Sequence, residues 1–137
     1  MTKRFYQGLS IVIVILIFSN SLMNAEVSSS QSGLIVSFVQ SVLGWFNLSI
    51  EANTLSFIIR KLAHFLEFFA LGYTMSKGWE LKTFFNFSLI LIIATLDESI
   101  QLLSDGRAFG VLDIGIDLCG GIFGLFFAYL IVNHKED

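Results

Sequence analysis

Proline is absent from the 137 residues, cysteine occurs once, and charged residues make up only 14% of the chain. Without proline, no apolar run is interrupted by a missing backbone donor, so long unbroken helices are open to this chain. The lone Cys119 excludes an internal disulfide and any cysteine cluster of a metal or redox motif. In its apolar, glycine-rich run it reads as a small packing residue. The eight Lys and Arg residues form no basic face or stripe and the net charge is -3, which argues against nucleic acid as a partner. No phosphate-cradling loop, nucleophile motif, internal repeat or low-complexity tract is present.

What the chain has instead is hydrophobicity. Apolar residues make up 55% of it, fifteen of them Phe, and the mean hydropathy is +0.77. That is far above an ordinary soluble domain of this length, and it makes the bilayer the solvent. The length supports a single domain over residues 1–137.

Four apolar runs are each about twenty residues, or about 30 Å of helix, matching the hydrocarbon thickness. They extend over Phe5–Met23, Thr54–Met75, Thr83–Leu103 and Val111–Val132. The first follows Lys3 and Arg4 and has the outline of a signal peptide, with Ser19-Asn20-Ser21 at a cleavage spacing. A retained helix is the preferred reading, because it returns a four-span chain to the cytoplasm. Between the first two runs, "NAEVSSSQSG" reads as a polar connector. After it, Leu34–Asn47 carries a polar stripe of Ser37, Gln40, Ser41 and Gly44 at i, i+3, i+4 and i+7. Too short to span, this segment is expected to lie in the outer interface as an amphipathic helix, with Trp45 at headgroup depth.

The expected fold is therefore an all-α membrane protein with four transmembrane helices and one interfacial helix in the first outer loop. The distribution of Lys and Arg sets its orientation. With both termini cytoplasmic, Lys3, Arg4, Lys77, Lys82 and Lys135 all lie inside, and only Arg107 sits in an outer loop.

In that topology the ionisable residues within the spans converge on one outer level. Arg60, Lys61, His64 and Glu67 occupy the outer and middle part of the second span, Asp97, Glu98 and Gln101 the outer third of the third, and Asp113 and Asp117 the outer end of the fourth. Arg60, His64 and Glu67 share a helix face, as do Asp97 and Gln101, and Asp113 and Asp117. The Asp113 face continues into Gly120, Gly121 and Gly124, where small residues let a neighbouring helix approach closely. Ionisable groups in hydrocarbon are costly, and an adjacent acid pair is more than insertion requires. A plainer reading stands beside this one. Lys61 and Glu67 can serve only to neutralise partners, Arg60 can snorkel to headgroups, and Asp113 can pair with Arg107.

The segments "KLAHFLEFFALG", "LDESIQLLSDGR" and "LDIGIDLCGGIFG" resemble the VanZ-like family of small bacterial membrane proteins. The resemblance covers about residues 5 to 132 and implicates Lys61, His64, Glu67, Asp97, Glu98, Gln101, Arg107, Asp113 and Gly120. Ser19 resembles a serine often found at the end of the first span. Two positions depart from the pattern: Asp117 stands where the family usually has Asn, and Arg60 where relatives are often acidic. The founding member is associated with resistance to the glycopeptide teicoplanin in Gram-positive bacteria. The resemblance thus implies the bacterial cytoplasmic membrane and its outer face.

Three classes of function meet these residues. An enzyme acting on lipid-linked envelope precursors or headgroups would divide general acid and base roles between His64 and Asp97 or Glu98. Lys61 and Arg107 would then face a phosphate, while Glu67, Gln101, Asp113 and Asp117 complete the substrate wall. A divalent cation held by Asp97, Asp113 and Asp117, with His64 joining, is a further possibility. A binder of a lipid-linked precursor or a partner protein would use the same residues as ligands. Proton-coupled transport is disfavoured, because the inner half of each span offers no polar path.

Overall fold

A computed structural model describes residues 2–23, 25–79, 83–104 and 109–133. The described residues form five helices and no strand: α1 (Lys3–Ser21), α2 (Ala25–Trp45), α3 (Ala52–Gly78), α4 (Thr83–Gln101) and α5 (Val111–Asn133). Four of them coincide, within a few residues, with the four apolar runs. Three helices, α1, α4 and α5, are long and apolar enough to cross a membrane. α3 is the longest at 27 residues, but it carries Arg60, Lys61, Glu67 and Lys77.

α2 begins at Ala25 rather than at Leu34, so most of the expected connector is helical. Its Glu, Ser and Gln residues are polar but carry only small helix penalties, and no proline intervenes. The helix ends where Asn47 turns into the left-handed region with φ of 55°. The amides of Asn47 and Leu48 then reach the carbonyls of Gly44 and Leu43, each at 3.1 Å. Asn is among the few residues that take this conformation cheaply and so close a helix. Leu34, Phe38 and Trp45 on α2 are exposed, and Val36 is buried.

α3 is the hub of the bundle, packing most extensively on α5 and also on α1, α2 and α4. The α3–α5 contact is backbone to backbone. A side chain at Gly120 would run into the Phe65 carbonyl, and one at Gly124 into that of Phe69. On the α3 side, Gly72 meets the backbone of Gly121 in the same way. The glycines read as a close-approach stripe do act as one. Cys119, on the same helix, is exposed and not a packing residue, because the stripe turns its neighbours inward and leaves it outside.

Hydrogen bonds between helix ends give the helix directions. At one end, Gln7 donates to the Gly78 carbonyl at 3.0 Å and the Trp79 indole donates to Ser10 at 3.1 Å. At the other, Ser104 just beyond α4 donates to the Ser21 carbonyl at 2.8 Å. α1 and α4 therefore finish at the same end, where α3 and α5 begin. Ile17, Phe68, Leu71, Met75, Ile90 and Ala94 make the core between the two ends. Large apolar side chains such as Ile15, Leu16, Phe84, Phe123 and Phe126 point outward, which suits a lipid solvent and not water.

Candidate functional site

Four helix segments converge at the end where α1 and α4 finish. α3 contributes Lys61 and His64, one turn apart on one face. α4 contributes Asp97, Glu98 and Gln101 from its last turn and a half, and α5 contributes Asp113 and Asp117 from its first two turns. The glycine contact lower on α5 sets this geometry: with Gly120 pressed on Phe65, Asp117 comes to the level of His64 and Asp113 to that of Lys61.

His64 Nδ1 lies 3.7 Å from Asp97 Oδ2 and 3.7 Å from Asp117 Oδ1. The imidazole is partly accessible, whereas both carboxylates are buried. Ser21 donates its hydroxyl to Asp97 Oδ1, and Gln101 Nε2 donates to Oδ2 at 3.1 Å. Asp97 is thereby clamped with one oxygen turned to His64. Asp117 is different. It is 1% exposed, and neither of its oxygens accepts a hydrogen bond among the described residues.

Glu98 is fully buried and faces the start of α5. Its Oε1 accepts the Gly110 amide at 2.5 Å, and its Oε2 has no hydrogen-bond partner among the described residues. Lys61 forms an ion pair with Asp113, and its ammonium also lies 5.1 Å from the centre of the Phe57 ring. Both partners of the pair are about three-quarters buried. Asp113 thus has its cation from α3. Arg107, read as a partner for Asp113 and as a phosphate ligand, lies outside the described residues. Glu67 accepts a hydrogen bond from Asn20 Nδ2 at 2.6 Å, which ties α3 to α1.

The structure therefore gathers His64, Asp97, Gln101 and Asp117 into one cluster, sets Glu98 and the Lys61–Asp113 pair beside it, and joins Glu67 to α1. The carboxylates do not all share one place: Asp113, taken from the sequence as part of a cation site with Asp97 and Asp117, is held on Lys61. Potential ligand atoms of His64, Asp97 and Asp117 lie within 4.8 Å of one another.

Sequence reasoning missed two contributors, Asn20 and Ser21. The triplet Ser19-Asn20-Ser21 was visible, yet only its small size was read. Ser19, singled out by resemblance, is exposed and bonds the Ile15 carbonyl of its own helix at 2.7 Å. A step of two residues turns the helix by about 200°, and this rotation puts Ser21 on the inner face instead.

The VanZ/LLP1 family profile matches residues 7–132. The chain belongs to the VanZ/LLP1 family. The match takes in most of α1, all of α2, α3 and α4, and nearly all of α5, so every residue of the cluster lies within it. Comparison with curated proteins and with solved structures finds no match.

Proposed function

We propose that this VanZ-like protein works at the outer face of the bacterial cytoplasmic membrane, where its buried polar site modifies an envelope component and so confers glycopeptide tolerance. The observation that carries this reading is His64 standing 3.7 Å from both Asp97 and Asp117. An imidazole between two carboxylates, partly open on one side, is suited to moving a proton to and from a substrate group. Bare insertion would need fewer ionisable groups than this.

Four spans are proposed, with α3 as the fourth. Its polar side chains find partners on other helices: Lys61 on Asp113, His64 on Asp97 and Asp117, Glu67 on Asn20. Internal pairing of this kind is what admits charged groups to a bilayer. The orientation follows from charge. Lys3, Arg4 and Lys77 belong to the end where α1 begins and α3 finishes, opposite the acidic site. Placing that basic end in the cytoplasm turns the site outward, towards lipid headgroups and lipid-linked wall precursors. The core of Ile17, Phe68, Leu71, Met75 and Ile90 lies between the two ends, which supports access from one side only. Asp97, His64 and Glu98 are the proposed acid–base residues, with Gln101, Asp113, Asp117, Lys61 and Glu67 shaping the substrate wall. Binding a precursor without turnover is the alternative use of the same residues.

The test is teicoplanin susceptibility of a sensitive Gram-positive host expressing the wild type, His64→Ala or Glu98→Gln at matched membrane levels. The wild type is expected to raise the tolerated concentration and both variants to abolish the gain. Equal protection by the variants would reduce the cluster to a structural role, and no protection by the wild type would remove the tolerance role.

A further inference from the structure

Among the described residues, the carboxylate of Asp117 accepts no hydrogen bond that would help hold the bundle together. A carboxylate taken out of water without donors is among the most costly arrangements a protein can keep. Both of its oxygens are buried and accept no hydrogen bond among the described residues, and one of them faces an imidazole nitrogen at 3.7 Å. The same nitrogen lies 3.7 Å from Asp97, whose carboxylate is oriented by Ser21 and Gln101.

From this geometry we infer that His64, Asp97 and Asp117 form a binding site for one divalent transition-metal cation of the zinc or manganese class.

Charge is the first argument. Two carboxylates and a dication sum to zero, so the loaded cluster brings no net charge into the low-dielectric bundle. Ligand spacing is the second. Bonds of about 2.1 Å in a tetrahedral arrangement place ligand atoms about 3.4 Å apart, a few tenths of an ångström closer than the two 3.7 Å separations observed here. The donor set is the third. One imidazole with two carboxylates is hard enough for manganese and nitrogenous enough for zinc, and it excludes a soft, thiolate-seeking ion. Ser21 and Gln101 supply the outer hydrogen bonds that such sites use to orient a ligating carboxylate. Three protein ligands leave at least one coordination position for water or for an oxygen of the substrate. Asp113 is outside the set because Lys61 occupies it.

The experiment is titration of the tag-free chain in lipid nanodiscs with Co²⁺, read by its visible absorption, with X-ray absorption of the bound metal as a second readout. The wild type is expected to take up one Co²⁺ per chain, displaced by Zn²⁺, with a shell of one imidazole and otherwise oxygen. Asp117→Asn is expected to weaken uptake by about 100-fold or more, and Ser21→Ala, which only orients Asp97, by about 10-fold. Ser99→Ala, at an exposed residue of α4 that bonds the Thr95 carbonyl of its own helix, is expected to bind as the wild type does. Far-UV circular dichroism and elution volume check that each variant is folded. Sub-stoichiometric uptake by the wild type, a shell without imidazole, or undiminished uptake by folded Asp117→Asn would each overturn the assignment. The wild-type arms need no variant, so misfolding cannot mask a negative answer. Because the readout is metal uptake, this inference and the tolerance reading fail independently.

Discussion

Ser21, the last residue of α1, donates a hydrogen bond from its hydroxyl to Asp97 on α4, across 76 positions of sequence. Both side chains are fully buried. One hydrogen bond thus joins the end of the first helix to the centre of the candidate site, and α1 becomes part of that site.

Removing this hydroxyl takes a donor away from a buried carboxylate. Ser21→Ala is expected to cost about 1–3 kcal/mol. Ser19→Ala, two residues earlier and exposed, is expected to stay within about 0.5 kcal/mol of the wild type. Thermal unfolding in detergent, followed by circular dichroism, compares the two. Equal effects would mean that the rotation of α1 differs from the one described.

The glycines of α5 divide into two kinds. Gly124 is pressed against the Phe69 carbonyl, so Gly124→Leu forces α3 and α5 apart and is expected to destabilise by about 1–3 kcal/mol or more. Gly115, on the same helix, has open space where a side chain would stand. Gly115→Ala is expected to stabilise by about 0.5–1 kcal/mol, through a lower backbone entropy cost. The same unfolding assay reads both, and the opposite signs are the test.

Lys61 and Asp113 form an interhelical pair between α3 and α5. Lys61→Met and Asp113→Asn each leave a largely buried charge behind, whereas the double variant leaves neither. The cycle is expected to give a coupling of about 0.5–3 kcal/mol, with the double variant more stable than the two single losses added together. Strict additivity would show that the two groups stabilise the bundle independently.

Orientation is testable by thiol labelling in a Cys119→Ser background. Ser49→Cys, in the exposed turn between α2 and α3, is expected to react with a membrane-impermeant maleimide in intact cells. Thr2→Cys, at the start of α1, is expected to react only after the membrane is opened. The reverse pattern would turn the site towards the cytoplasm and remove wall precursors as its substrates.

The amino-acid sequence by itself determined α1, α3, α4 and α5 and the level along each of them at which the polar residues fall. Both follow from the local chain: apolar runs set helix length, and a rise of about 1.5 Å per residue converts sequence position into depth once neighbouring helices alternate in direction. Gly120 and Gly124 were legible for the same reason, since a four-residue spacing marks one helix face. The helical start of α2 was not, because polar composition resembles a loop while costing a helix little. Tertiary structure alone decided which groups meet. That Ser21 and not Ser19 reaches Asp97, that Asp113 takes Lys61, and that Asp117 faces an imidazole and accepts no hydrogen bond among the described residues all depend on how each helix is rotated about its axis. Rotation is set by packing against helices distant in sequence, here by the glycine backbone contact between α3 and α5, and no local pattern encodes it.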